Sequence, residues 1–275
     1  SILSAVVTEY IILKVAKREI RIKDYSAVVT GLLLALILPP DVPWYIPVLG
    51  SAFAIAIAKQ AFGGIGANIF NPALIGRAFL LISFPTIMTR WIVPRTITTD
   101  AITGATPLGL YKLHGTQALM QTFHSQGRMY WDMFLGNIGG SLGETSAIAL
   151  IIGGIILFAT RTADWRIPLS YFISFIVMCL IFHQDPLFHI LAGGFLLGCI
   201  FMATDPVTSP VTKTGRIIFG IGCGILTIIF RLYGGNPEGV SYAILLMNAA
   251  TPLIDKLTIS RTFGEKIKIF NRILM

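Results

Sequence analysis

The string Asp100-Ala-Ile-Thr-Gly-Ala-Thr106 sets two threonine hydroxyls, Thr103 and Thr106, on either side of Gly104 and Ala105. Glycine reaches backbone conformations closed to other residues, and alanine adds little bulk. An enzyme's active site could therefore close around the Thr106 hydroxyl, whose oxygen is a nucleophile for group transfer. The same string also reads as a turn leading into Pro107. Taken alone, it leaves both readings open.

Two further sets of polar residues lie against apolar sequence. Asn68 and Asn71, in Asn68-Ile-Phe-Asn-Pro72, share a face if their segment is helical. Each amide offers donors and an acceptor to a heterocycle edge; each could equally satisfy backbone at a break or cap a helix after Pro72. Glu144 opens one apolar run and Asp205 closes another beside Pro206. A carboxylate deep in a bilayer costs about 2.5–3.5 kcal/mol on insertion scales and usually serves a cavity or ion path. The competing reading is a helix-end cap: Asp205 divides evenly, with the cap slightly ahead, and Glu144 leans toward a cation path or a cofactor loop. Arg77 falls inside an apolar run, where it could snorkel, pair with a carboxylate, or meet a cofactor's phosphate or pyrimidine edge. Lys59 and Arg231 stand at the ends of apolar runs and read as snorkelling cations.

Three cysteines at 179, 199 and 223 lie in apolar runs without paired spacing and read as small core residues. Four histidines show no metal-ligand pattern, so no metal site is expected. Of 275 residues, 55% are hydrophobic and 12% charged, and mean hydropathy is +0.78. A soluble domain carries about a quarter charged residues, so the composition implies a polytopic membrane protein in contact with lipid. The net charge of +8 sits in short blocks between apolar runs, which excludes a nucleic-acid partner.

Apolar runs fall near 1–13, 27–38, 45–62, 72–89, 131–139, 145–160, 167–183, 186–204, 215–233 and 239–255. A span needs about 20 residues, so 27–38 and 131–139 read as half-helices or parts of broken spans. The uncapped start at Ser1 suggests that a helix or two precede it. Basic blocks at Lys14–Lys23 and Lys256–Arg272 are assigned to the cytoplasmic side. The polar segment 90–130 then faces the opposite side. Trp44, Trp91, Trp131 and Trp165 end apolar runs, as interfacial tryptophans do.

An internal repeat is visible. Gly31–Pro43 parallels Gly194–Val207, and each continues to an aromatic-Gly-Gly triplet, Phe62-Gly-Gly64 and Tyr233-Gly-Gly235. Segments containing Asn71-Pro72 and Asn248 with Pro252 follow in order. Paired Gly/Pro-interrupted segments mark repeat-built transporter-like folds. The expectation is one membrane domain over 1–275, with repeat one about 1–130 (truncated at its start), repeat two about 131–257 and a basic cytoplasmic tail over 258–275.

Five motifs occur in order: Asn68–Phe79, Asp100–Leu108, Gly140–Ser146, Ala203–Pro210 and Gly235–Val240. Together they resemble the family of the D subunit of the Rnf complex and the B subunit of the sodium-pumping NADH:quinone oxidoreductase, from about residue 25 to 256. The compact connections look more like the Rnf D subunit.

The resemblance implies an all-α polytopic fold of about ten transmembrane helices, including broken half-helices, in two inverted repeats like those of urea transporters. It implies FMN joined covalently through phosphate to Thr106, with Asp100, Thr103, Gly104 and Ala105 forming the attachment motif. A flavin transferase would install it on the extracytoplasmic side: the Thr106 oxygen attacks the pyrophosphate of FAD, a phosphodiester forms, and AMP leaves. The resemblance also allows riboflavin against Asn68 and Asn71. The implied function is an electron relay, without the NAD site, in an Rnf-type complex of the bacterial or archaeal cytoplasmic (inner) membrane. That complex couples ferredoxin:NAD electron transfer to Na⁺ or H⁺ translocation, with Glu144 and Asp205 on the ion path. Its partners would include Fe–S subunits and a subunit with a second FMN. The alternatives are the quinone-reductase B subunit and a flavin-free channel or solute transporter on the same fold.

Overall fold

The computed structural model describes residues 1–20, 22–92, 103–235 and 238–259. Asp100, Arg21 and residues 260–275 of the basic tail lie outside them. The described chain is helical apart from one ladder of two-residue strands, β1 (Trp91–Ile92) and β2 (Thr103–Gly104).

The first helices are α1 (Ile2–Val15), α2 (Ser26–Leu36) and α3 (Tyr45–Phe53), and α3 runs on through wider π-helical turns over Ala54–Gln60. α4 (Pro72–Ser83) begins at Pro72, which fits the first helical position because its ring fixes φ and needs no N–H partner. The 72–89 run breaks at Phe84 (φ −134°, ψ 56°), and Pro85 starts the short α5 (Pro85–Met88). The break has a steric cause, because a residue before proline is driven out of the helical region. α6 (Pro107–Phe123) and α7 (Gln126–Leu135) follow the ladder. The polar segment thus contains helix, and the stretch expected as a half-span at 131–139 is the end of α7.

α8 (Ala147–Ala159), α9 (Arg166–Ile181), α10 (Pro186–Leu191), α11 (Phe195–Leu197, with π-helical turns over Gly198–Met202), α12 (Lys213–Tyr233) and α13 (Val240–Thr258) complete the chain. Among the described residues one helix, Lys213–Tyr233, is by itself long and apolar enough to cross a membrane. Several shorter apolar helices accompany it, among them Ala147–Ala159 and Arg166–Ile181.

α12 packs chiefly on α9 and α13. A Cβ at Gly220 would collide with Ser170 Oγ and lie 2.6 Å from the Ile167 carbonyl, and one at Gly224 would collide with Ser174 Oγ. Glycines four apart thus let two backbones touch, the device membrane helices use where lipid supplies no hydrophobic drive. Beside this seam Tyr171, Phe175, Phe195 and Phe219 are fully buried. Tyr171 OH and Thr227 Oγ1 share a hydrogen bond of 2.6 Å. Outward, Ile151, Ile152, Ile155 and Ile156 of α8 and Ile173, Val177, Leu180 and Ile181 of α9 are exposed. So broad an apolar surface needs lipid rather than water as its neighbour. The chain is a helical, membrane-integral protein.

The two ends of α12 differ. At its start Thr212 meets Thr258, and the Val211 N–H donates to Asp255 (3.0 Å), beside Lys256. At its end Lys112 of α6 donates to the carbonyls of Arg231 (3.1 Å) and Gly234. Segment 103–123 is therefore attached at the end of α12 remote from the basic residues at 213, 216 and 256.

Candidate functional site

Thr106 follows the ladder, in which Gly104 faces Trp91 and Thr103 faces Ile92. Its backbone is extended (φ −61°, ψ 154°), and its Oγ1 accepts the Gly109 N–H at 3.0 Å, making it the N-cap of α6 with Pro107 next. Ala105 is exposed and Thr106 is 5% exposed. The first N–H groups of a helix lack internal partners and carry the positive end of its dipole. A phosphate ester on this oxygen would lie where such groups favour negative charge.

Two residues on, Leu108 is buried and opens a cavity of about 400 Å³ between α6, the 184–189 segment and the end of α12. Lys112 and Arg231 line it. Partial burial pulls the Lys112 ammonium below its ordinary value. Arg231 corrects the snorkelling expectation. Its side chain is buried, donating from Nη1 to the His189 carbonyl and from Nη2 to the Ala192 and Gly193 carbonyls, the last two at 2.8 Å each. It also lies over the Phe175 and Phe195 rings, at 5.3 and 6.0 Å from their centroids. Thus Arg231 satisfies the carbonyls exposed where α10 ends.

Glu144 sits on the other side of that turn. The helix it was expected to open starts at Ala147, with Ser146 as N-cap. Glu144 instead closes its own turn: Oε1 accepts the Ser141 N–H at 2.9 Å, and buried Oε2 has no partner among the described residues. Oε2 faces Gly194, where a Cβ would stand 2.7 Å away. Gly194 has φ +60°, so this position needs glycine for its backbone as well as for space. Arg77 of α4 meets Glu238 across the molecule in a largely buried ion pair. Of the three readings of Arg77, pairing with a carboxylate is the one realised.

Asn68 and Asn71 precede α4 rather than sharing a helical face. Asn71 is its N-cap, with Oδ1 accepting from the Ala73 and Leu74 N–H groups (3.0 and 3.4 Å) and Nδ2 donating to the Met202 carbonyl (3.3 Å). Its own N–H donates to Asn248 Oδ1 at 3.3 Å. Asn68 donates from Nδ2 to the Phe70 carbonyl at 3.2 Å, and its Oδ1 accepts nothing among the described residues. Asp205 caps no helix among the described residues. It closes a local turn, accepting from the Val207 N–H (3.2 Å) and the Thr208 hydroxyl (3.1 Å), while Thr212 caps α12.

The fold nonetheless brings Asn68, Asn71 and Asp205 together on one mainly apolar cavity of about 360 Å³, with Lys59 on its wall. Lys59 also departs from the snorkelling expectation: it is buried against Glu9 Oε1 (2.6 Å) and Ser26 Oγ (2.5 Å). The Thr106–Glu144 region and the Asn68–Asp205 cavity are two distinct places. Glu238, Lys112 and His189 were not singled out from sequence. Only Glu238 carried a signal, its place in the Gly235–Val240 motif.

Residues 1–264 match the NQR2, RnfD, RnfE family. The chain belongs to this family. Its relatives include the D subunit of the proton-translocating ferredoxin:NAD(+) oxidoreductase complex of Clostridium ljungdahlii, 51% identical over 96% of this chain and 82% of the relative. The D subunit of the Na(+)-translocating ferredoxin:NAD(+) oxidoreductase complex of Acetobacterium woodii is 50% identical over 97% of this chain and 82% of the relative. The D subunit of an ion-translocating oxidoreductase complex of Stutzerimonas stutzeri is 42% identical over 96% and 83%. This family is thus represented, near this chain, by components of ion-translocating oxidoreductases.

Proposed function

We propose that this chain is the FMN-carrying D subunit of an Rnf-type complex that couples electron transfer between ferredoxin and NAD to Na⁺ or H⁺ translocation. The observation that carries this reading is about half identity, over nearly the whole chain, to two D subunits of ferredoxin:NAD(+) oxidoreductase complexes. Bound flavin supplies a redox centre that accepts and passes on electrons. The chain's own residues would hold it: Thr106 through the phosphate, the first turn of α6 through its N–H groups, and Gly104–Ala105 by leaving the transferase room.

Glu144 and Asp205 are the proposed ion-path carboxylates. Supporting this, Glu144 keeps an unpartnered buried oxygen among the described residues and Asp205 opens onto the second cavity. Riboflavin is assigned to that cavity, where Asn68 Oδ1 and one remaining Asn71 N–H are free to bond a ring edge. The protein would hold about ten spans in two inverted repeats, with Thr106 on the extracytoplasmic side of the cytoplasmic membrane. The attachment of 103–123 to the less basic end of α12 supports that side. Fe–S subunits and a second FMN subunit would be its electron partners, with a flavin transferase acting during maturation.

The family description also covers the quinone-reductase relative, but the naming of the similar proteins as D subunits favours the Rnf assignment. The test is in-gel fluorescence of the denatured protein from cells that contain the transferase. A fluorescent band, lost in Thr106→Ala, is expected. A dark band from the unaltered chain would favour a flavin-free transporter.

A further inference from the structure

The cavity beyond Leu108 has features that the folding of α6 does not require. Tyr111, Lys112, Gln184, His189 and Arg231 line it, and no carboxylate does among the described residues. Tyr111 OH donates to Gln184 Oε1 at 2.6 Å, and the same oxygen lies 3.3 Å from His189 Nε2. His189 Nδ1 and Arg231 Nε, both buried, have no partner among the described residues. Two cations, Lys112 and Arg231, thus line one hollow with no acidic counter-charge among its lining residues, an arrangement that favours a polar or electron-rich guest. Its volume, about 400 Å³, lies within the range of roughly 300–1,000 Å³ usual for ligand sites.

The hollow is also within reach of Thr106. Tyr111 and Lys112 are five and six residues along α6, roughly 8–9 Å at about 1.5 Å per residue. α6 is then broken at Gly115, which has φ +73° and ψ −168°. A side chain disfavours that backbone, and Gly115 itself lines the cavity. The break turns the second half of α6 away from a straight path and forms part of the cavity wall.

We propose that this cavity receives the ring of the flavin attached at Thr106, and that Lys112 and Arg231 set its reduction potential by facing it with positive charge. The inference rests on the proposed covalent attachment and adds to it a seat and two tuning residues. Arg231 has a structural task in holding the 189–193 carbonyls. Lys112 is the separable one, since among the described residues its ammonium donates only to the carbonyls of Arg231 and Gly234. Positive charge favours whichever redox state of the ring bears more negative charge, so its removal makes reduction harder.

The test is a spectroelectrochemical titration of the Thr106-attached flavin in the purified complex. Lys112→Met should lower its midpoint potential, with about a tenfold fall in the reduced-to-oxidised ratio at fixed potential, or about 59 mV for one electron. Lys112→Arg should restore the potential. Thr116→Trp, which fills the cavity from a lining position, should keep the flavin attached while raising its collisional quenching by iodide. A flavin present on Thr106 whose potential and iodide quenching match the unaltered complex in both Lys112→Met and Thr116→Trp would overturn the cavity assignment. Should Lys112→Met fail to assemble, the Thr116→Trp quenching decides alone. Absence of flavin from the unaltered protein would overturn the attachment instead, a different result.

Discussion

Arg77 and Glu238 are 161 residues apart in sequence and form one largely buried ion pair. Removing one partner leaves the other charge unpaired, which costs about 3–5 kcal/mol in buried pairs. Arg77→Gln or Glu238→Gln should therefore lower the melting temperature in detergent strongly, while the double variant loses less than the sum. Additive losses would show that the two do not act as a pair. At Thr106 the oxygen has a second role as the α6 cap. In protein made without the flavin transferase, Thr106→Ala should cost about 0.5–2 kcal/mol, whereas Thr106→Ser should keep the cap, as thermal melting of the unmodified proteins would reveal. Lys112 predicts a pH dependence. Its value is lowered by burial, so its charge is lost as pH rises through that lowered value, at a lower pH than for a free lysine. The difference in flavin potential between the unaltered complex and Lys112→Met should shrink as the solution turns alkaline. Legibility at this scale was uneven. The Thr106 and Asn71 oxygens stand at helix starts marked by the following prolines, which a sequence displays. The task of Arg231 was not visible, because its carbonyl partners lie about 40 residues away and meet it only after α10 and α12 pack.

The long apolar runs matched elements closely: 215–233 became Lys213–Tyr233, 167–183 became Arg166–Ile181 and 145–160 became Ala147–Ala159. Hydropathy succeeds there because each helix keeps one lipid-facing side. It was misled where proline or glycine breaks an apolar run without making it polar, as at Phe84–Pro85 and Gly193–Gly194. The Asn68–Asn71 spacing suggested a shared helical face for the same reason: spacing cannot tell a helix from the turn that caps one. The α9–α12 seam yields its own prediction. Gly220→Val would push a side chain into the Ile167 carbonyl and Tyr171 N–H, and overpacking of this kind costs about 1–3 kcal/mol. A variant as heat-stable as the unaltered protein would mean that the two helices do not touch there.

Across the whole molecule, the proposed flavin region and the Asn68–Asp205 cavity occupy separate places, and Lys213, Arg216 and Lys256 lie at the start of α12. The three native cysteines are buried, so single reporter cysteines can be read without interference. Leu113→Cys, at a position 74% exposed on α6, should react with an impermeant maleimide in intact cells, and Arg161→Cys, between α8 and α9, only in inverted vesicles. The reverse pattern would turn the proposed orientation over. Composition revealed the membrane class of the molecule because lipid contact is a bulk property. The association of Thr106, Lys112 and Arg231 was beyond it, because packing rather than composition brings α6 to the end of α12. The central claim is a redox group bonded to Thr106. Intact-mass analysis with peptide mapping of the protein from the mature complex tests it directly: the account predicts an increment of one FMN less one water on the peptide containing Thr106, and an unmodified Thr106 in that preparation would contradict it.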